Sequence, residues 1–194
     1  DETERRLEGN GTRRLEFELN TGDTAWMISC CALVLLMTMP GLAIYYGGMV
    51  RVQNVLATAM QCLSICCLMT FLWLCFGYTL SFGPVDTVYS EHAVAPTGDG
   101  SRLWLIGMEL DTYHMLAPSI PESVFCTFQL TFAIITPALI TGGFADRMKY
   151  FPMLLFMALW HIFVYTPIAH ANWHPNGFLA KDGAMDFAGG NVVH

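Results

Sequence analysis

The last nine residues of the chain, "DFAGGNVVH", place a carboxylate and an imidazole at the edge of an apolar segment. Asp186 could cap the first turn of a helix by accepting from amides that lack a partner there, and its charge would favour a nearby cation. His194 would then lie about 12 Å further along that helix. Its imidazole could hydrogen-bond within a pore, relay a proton, or simply bond to a neighbouring helix in the core.

Aromatic residues form a second group that could bind a ligand. Phe128 and Phe132 are four residues apart and would share one helix face, where they could pack in the core, face lipid, or narrow a pore. Trp173 could anchor a helix at a membrane surface or offer its indole face to an ammonium-type cation. His170 and His174 lie beside it but lack a third ligand for a metal site.

The elements that would position these residues are four long runs without charge. Hydrophobic residues make up 54 % of the chain and charged residues 13 %, and the mean hydropathy is +0.46. A membrane-spanning helix needs about 20 mostly apolar residues, and every run is long enough. The sequence predicts an all-α, polytopic membrane protein, a transmembrane helix bundle with helices at about 24–47, 54–81, 123–144 and 151–172 and a fifth beginning near Phe187.

Charged residues between these runs predict the orientation of the chain. The two short turns carry Arg51 and the pair Arg147 and Lys149, whereas residues 86–122 hold six acids and one arginine. Because positive short loops favour the cytoplasm, we expect a multi-pass protein of the cell membrane with its N-terminal tail, residues 1–22, outside. Asn10 begins a glycosylation sequon in that tail, although such triplets are common by chance.

Several classes of function find no support in the sequence. It has no nucleophile–base pair, no phosphate-binding loop and no cluster with metal-ligand spacing, so we expect neither an enzyme nor a cofactor, and no nucleic-acid partner. The seven cysteines all fall in apolar runs, where free thiols pack as small hydrophobic side chains. The chain begins without Met and ends inside an apolar pattern, which suggests a fragment of a longer protein.

Six segments in order resemble the ammonium transporter family (Amt/Mep/Rh), and the Amt branch in particular. They run from about Asp23 to His194, and the loop 84–122 is the part that matches poorly. The segments are "DTAWM", "PGLAIYYGGMVRVQNVL", "LWLCFGYTLSFG", "FQLTFAIITPALITGGFADRMKY", "YTPIAHANW" and "GAMDFAGGNVVH".

The resemblance implies an eleven-helix fold made of two inverted five-helix halves, of which residues 23–194 would be the N-terminal part. It implies a homotrimer with one pore in each subunit and an N-terminus outside the cell. It further implies the site: Trp173 and Phe128 match the outer aromatic ammonium site, and Phe132 matches the first of two gating phenylalanines. Asp186 matches the family's acid near that site, and His194 matches the first of two pore histidines.

The function implied is transport of ammonium across the lipid bilayer. Ammonium would be recruited at the outer aromatic site, and ammonia or ammonium would pass through a pore lined by histidines. The alternative is a membrane ammonium sensor that uses the same site, binds ammonium and carries little flux. This chain departs from the family pattern at Asn191, where threonine is usual, and in the length of the "WHPNG" turn.

Overall fold

A computed structural model describes residues 19–83, 100 and 102–194. Within these described residues, four helical stretches are long and apolar enough to cross a membrane: α1, Thr21–Met49; α2, Val52–Phe82; α3, Glu122–Phe144; and Tyr150–Lys181. The last consists of α4, which ends at Trp173, and the short helix α5, Phe178–Lys181. The predicted class, an all-α membrane bundle, is confirmed. Asn10 lies outside the described residues, so its glycosylation stays a prediction.

Three of the long helices contain one wider, π-helical turn each. These turns are Met37–Gly41 in α1, Trp73–Gly77 in α2 and His161–Tyr165 in α4. Pro40 lies inside the first. Proline cannot donate the backbone hydrogen bond of a regular helix, and a wider turn accommodates the absence of that bond. Charge-free runs predict the extent of a helix but not such turns, because a π-turn leaves no pattern in hydropathy.

Helix α3 lies at the centre of the packing. It contacts α1, α2 and the π-helical turn of α4, while α2 also packs against α4. Near one end of α3, Gly142 lies beneath the ring of Tyr46, where an added methyl carbon would come within 2.8 Å of that ring. The Tyr46 hydroxyl donates to the Leu139 carbonyl at 2.9 Å. The small residue therefore lets α1 and α3 pack closely.

The two short turns meet at one end of the bundle. The side-chain amide of Asn54, in the first turn of α2, donates to Asp146 Oδ1, in the turn after α3, at 2.6 Å. The basic residues nearby, Arg51, Arg147 and Lys149, are all exposed. This hydrogen bond ties together two turns that are far apart in the sequence.

The opposite end of the bundle is covered by the described part of the long loop. There β1, Tyr113–His114, pairs antiparallel with β2, Ala117–Pro121, and the backbone of β2 bonds to the residue that caps α1, Asn20. Arg102 forms an ion pair with Glu122 at 2.9 Å.

Glu122 is the buried centre of this end of the bundle. It begins α3 and is only 2 % exposed. It also accepts from the Tyr78 hydroxyl of α2 at 3.0 Å. Because a buried carboxylate needs a charged partner and hydrogen bonds, this network holds the loop on the bundle through Arg102.

Three buried imidazoles satisfy the last carbonyls of α2, and we call them the imidazole clamp. His170 Nδ1 lies 3.2 Å from the Ser81 oxygen, His114 Nε2 lies 3.1 Å from that of Phe82, and His174 Nε2 lies 3.2 Å from that of Gly83. The final carbonyls of a helix have no partner within it, so the rings supply the missing donors. Within the described ranges, no set of three His, Cys, Asp or Glu residues forms a metal site.

The expected fifth helix beginning near Phe187 stays a prediction, because the described residues there form turns and the chain ends at His194. Residues 187–193 form turns, and Gly189 has a φ of +72°, which a right-handed helix cannot include. One helix-like hydrogen bond is present, from the Val193 amide to the Gly189 carbonyl at 2.7 Å. The glycine pair therefore turns the chain, and Val192 joins the buried core instead.

Candidate functional site

Three aromatic side chains predicted as site residues come together at the loop-covered end of the bundle. Phe128 and Phe132, one turn apart on α3, have ring centroids 5.0 Å apart and perpendicular planes. Trp173, the last residue of α4, meets Phe132 edge-on at 6.0 Å. All three rings are half-buried. We call them the aromatic cluster.

Asp186 lies directly against the aromatic cluster. The Trp173 indole N–H donates to Asp186 Oδ2 at 3.0 Å, and the Asn191 amide donates to the other oxygen, Oδ1, at 3.2 Å. The carboxylate thus joins the end of α4 to the terminal segment. The expected cap would have Asp186 accept from an amide in the first turn of a helix. In the described structure the amide that donates to Asp186 Oδ1 is that of Asn191, five residues later and in a turn. The carboxylate still satisfies a backbone amide.

Gly189 supports this contact through its backbone conformation, with a φ of +72°. An added carbon at Gly189 would lie 3.3 Å from Val193 Cγ2 and 3.6 Å from Trp173 Cζ2, so the segment packs against the indole. The positive φ of Gly189 also excludes most other residues. The segment can therefore pass close to the indole and return its Asn191 amide to the carboxylate.

His194 does not join this group. It is exposed, and no hydrogen bond or ring contact of the described residues links it to the aromatic cluster. The expected distance of about 12 Å along a helix assumed the fifth helix, whereas residues 187–193 form turns in the described structure. The role of His194 in a pore remains a prediction.

Phe82, the last residue of α2, belongs to the site although sequence reasoning did not select it. Its ring stacks on Trp173 with centroids 6.3 Å apart and planes inclined by 16°. It also meets Phe125 and His114 edge-on. Nothing in the sequence distinguishes Phe82 from the other phenylalanines of the apolar runs, because the contact depends on how α2 and α4 pack.

A cavity of about 420 Å³ opens beside Phe128, between the start of α1 and α3. Its wall includes the Trp26 ring, the Asp23 side chain and Gln129. The Gln129 side-chain oxygen is buried without a hydrogen-bond partner. This side of the aromatic cluster is therefore open, and its lining is mainly apolar with a few polar groups, among them Asp23 and Gln129.

The chemistry available at this end is that of cation binding. Aromatic faces attract cations through their ring quadrupoles, and the Asp186 carboxylate adds a negative charge beside them. The site contains acceptors and π-faces but no arrangement of a nucleophile with a base. It therefore fits a small cation that can donate hydrogen bonds.

Comparisons with known proteins identify what the chain is similar to. Residues 25–194 match the model of the Ammonium Transporter Family. An ammonium transporter of Bacillus subtilis is 44 % identical over 180 residues, which cover 91 % of this chain and 41 % of the relative. A putative ammonium transporter of Methanothermobacter thermautotrophicus is also 44 % identical, over 177 residues, with the same coverage of both chains.

Solved structures agree with these matches. The crystal structure of Mep2 from Candida albicans superposes with a TM-score of 0.77 at 30 % identity and covers 91 % of this chain and 37 % of its own. Mep2 from Saccharomyces cerevisiae superposes with a TM-score of 0.75 at 29 % identity. The chain therefore spans about two fifths of the length of the relatives that it matches, 41 % for the two curated ones.

Proposed function

From the premise that the chain belongs to the ammonium transporter family, which its match over residues 25–194 shows, we propose that the complete protein moves ammonium across a membrane. The observation that carries this proposal is the aromatic cluster with Asp186 bonded to the Trp173 indole. The relatives are named transporters, which also fits the expectation that the protein is not an enzyme.

Trp173 and Phe128 supply the cation-recruiting faces in this proposal. A cation over such a ring gains about 0.5–2 kcal/mol, which is enough to concentrate ammonium without trapping it. Ammonium also donates directional hydrogen bonds, whereas sodium and potassium donate none. The aromatic cluster thus attracts cations in general, and nearby acceptors favour the one cation that carries N–H groups.

Asp186 has two tasks in the proposal. Its carboxylate holds the indole through the N–H group, so the π-face of Trp173 keeps one orientation. Its negative charge also favours cations close to that face. Each of its oxygens accepts a hydrogen bond from the protein, so Asp186 acts in the proposal mainly through its field and through Trp173.

Phe132 and His194 belong to the conducting path in the proposal. Phe132 lies next to Trp173, deeper along α3 than Phe128, and its ring would close the path below the recruiting faces. A bare charge carried through the apolar centre would cost at least about 2.5–3.5 kcal/mol. Releasing a proton near Phe132 and passing neutral ammonia to His194 avoids most of this cost.

Assembly and location are part of the same proposal. We place the protein in the cell membrane as a homotrimer surrounded by lipid, with its N-terminus and its aromatic cluster outside. The support for the orientation is the contrast between basic short turns and the acidic long loop. The two short turns lie at the same end of the bundle, as this orientation requires.

The test is uptake by cells that lack their own ammonium transporters and express the complete coding sequence. We expect ammonium uptake by the wild type and a large change of rate or selectivity in His194→Ala. Cys126→Ala is the matched control, because Cys126 is a buried free thiol in α3 and its removal deletes one sulfur only. Equal, small effects of the two substitutions would contradict the assignment of His194.

The same cells separate transport from sensing. A sensor would bind ammonium in purified form and give no uptake above that of cells with an empty vector. That result would overturn transport and leave the aromatic cluster as a receptor site.

A further inference from the structure

Two rings of the imidazole clamp are fixed in one neutral tautomer by their partners. A carbonyl oxygen can only accept, so His174 Nε2 must carry the hydrogen that faces Gly83. A backbone amide can only donate, and the Asn176 amide lies 3.1 Å from His174 Nδ1. That nitrogen must therefore be unprotonated.

His114 repeats this arrangement from the covering loop. Its Nε2 faces the Phe82 oxygen, and its Nδ1 accepts from the Leu116 amide at 3.2 Å. The third ring, His170, faces the Ser81 oxygen through Nδ1, a bond in which the ring donates. Two rings of the clamp, His114 and His174, therefore each donate one hydrogen bond and accept another. In its bond to α2, the third ring, His170, acts as the donor.

Protonation would break the contacts of the first two rings. An imidazolium has hydrogen on both nitrogens, so His114 Nδ1 and His174 Nδ1 would each present an N–H group to a backbone N–H group. Each ring would lose one hydrogen bond and would bring a charge into a buried position, since the rings are only 4 % and 3 % exposed. The bond of His170 to Ser81 would survive, because Nδ1 would still donate.

The clamp is connected to the aromatic cluster through Phe82. His114 bonds to the carbonyl of Phe82 and meets its ring edge-on at 6.1 Å, and that ring stacks on Trp173. His174 follows Trp173 directly in the chain and bonds to Gly83, the residue after Phe82. The two rings therefore hold both members of the Phe82–Trp173 stack in position.

We propose that His114 and His174 are positioning residues whose neutral form keeps Trp173 ready to bind a cation, so that acid on the side of the aromatic cluster weakens ammonium binding. This inference rests on the proposed function and adds a pH-dependent control of its site. Release of the clamp moves Phe82 away from Trp173, which raises KM. The maximal rate changes less, because the conducting path is deeper.

Charged and titratable groups surround the clamp on the elements packed against it. Arg102 and Glu122 form an ion pair; Glu122 favours a protonated His114, and Arg102 opposes it. The other titratable groups on these elements include Tyr78, Tyr113, Cys126, His161, Tyr165, His170, Lys181 and Asp186. Asp186 keeps its negative charge while it accepts from two neutral donors, so its field opposes part of the cost of protonating the clamp.

His114 lies in the covering loop, outside the membrane-spanning helices, and it is buried there. This burial sets the direction of the pH effect. Desolvation by burial lowers the pKa of His114, and the hydrogen bond to Phe82 opposes this only in part. The closed clamp therefore binds fewer protons than a released one. Its stability is complete above the ordinary histidine value of about 6.5 and is lost as the pH falls below it.

The experiment measures initial uptake against ammonium concentration at external pH of about 7.5 and about 5, the range in which histidine titrates. Dissolved ammonia is almost fully protonated to ammonium at both pH values, so the concentration of ammonium hardly changes between them. The complete coding sequence is expressed in cells without their own ammonium transporters. We expect the KM of the wild type to rise at least about fivefold at the lower pH, because one lost hydrogen bond corresponds to about that factor and two rings can each lose one.

Two variants identify the rings responsible. The doubly substituted His114→Gln/His174→Gln keeps an N–H donor for each carbonyl and cannot be protonated, so its KM should be nearly equal at the two pH values. His170→Asn is the matched control, because it changes the ring whose bond to α2 survives protonation. Its KM should rise with acid as in the wild type.

The possible results distinguish a failure of this inference from a failure of the proposed function. A wild-type KM that does not change with pH, or an equal rise in the double variant, would overturn the role of the clamp while uptake itself persists. A fall in maximal rate alone, with constant KM, would mark the rings as structural only and would also overturn it. No uptake by the wild type at either pH would instead overturn the proposed function.

Discussion

The two ends of the helix bundle are built in opposite ways. At the loop-covered end, an ion pair, the imidazole clamp and the Trp173–Asp186 bond are buried or half-buried, and each satisfies groups on a different element. At the end with the short turns, basic side chains extend towards the surface. There the Asn54–Asp146 hydrogen bond joins two turns.

This difference separates two uses of polar residues in a membrane protein. Exposed basic residues in short turns set orientation, which needs charge but no exact geometry. Buried polar residues need complete sets of partners, so they fix positions precisely. The end where positions are fixed is also the end that carries the aromatic cluster, as expected if ammonium is recognised there.

The largest effect on stability is expected from Glu122→Gln at the loop-covered end. The substitution leaves the Arg102 guanidinium without its charged partner, and breaking a buried pair typically costs about 3–5 kcal/mol. Because the Arg102 side chain is 19 % exposed, solvent screening should keep the loss near the lower value. Thermal unfolding of the purified protein in detergent measures it as a lower midpoint.

The control for this substitution is Glu109→Gln, which removes the same charge from an exposed position in the same loop. It should leave the midpoint nearly unchanged. An equal shift for the two variants would show that net charge, rather than the buried pair, stabilises this end.

A small effect is expected from Asn54→Ala at the other end. One partly exposed hydrogen bond contributes about 0.5–1.5 kcal/mol, so the unfolding midpoint should fall only slightly. Gln53→Ala, one residue earlier and exposed, serves as its reference. If Asn54→Ala were as costly as Glu122→Gln, the contrast between the ends would be wrong.

The sequence predicted the helices because membrane crossing imposes a simple rule on composition. A run without charge that is longer than about 20 residues has few alternatives to a helix, so residues 24–47 and 123–144 fall within α1 and α3. The fifth helix near Phe187 stays a prediction. In the described structure residues 187–193 form turns, and the positive φ of Gly189 contributes to this conformation.

The site was predictable only as a set of separate residues. Aromatic and acidic side chains near the ends of apolar runs selected Trp173, Phe128, Phe132 and Asp186. The contacts among them, and those of the imidazole clamp, join residues up to 91 positions apart. Such pairs carry no periodic signal, so neither the stack of Phe82 on Trp173 nor the carbonyls bound by His114 and His174 could be inferred.

The most direct test of the aromatic recruiting site compares Trp173→Leu with Trp104→Leu in the uptake assay. Trp104 is 63 % exposed and contacts Phe71 rather than the aromatic cluster, so it controls for the loss of an indole. The proposed site predicts that Trp173→Leu raises the KM for ammonium about 2- to 30-fold, the equivalent of 0.5–2 kcal/mol of cation–π attraction, while Trp104→Leu leaves KM unchanged. An unchanged KM in Trp173→Leu, or an equal rise in both variants, would contradict it.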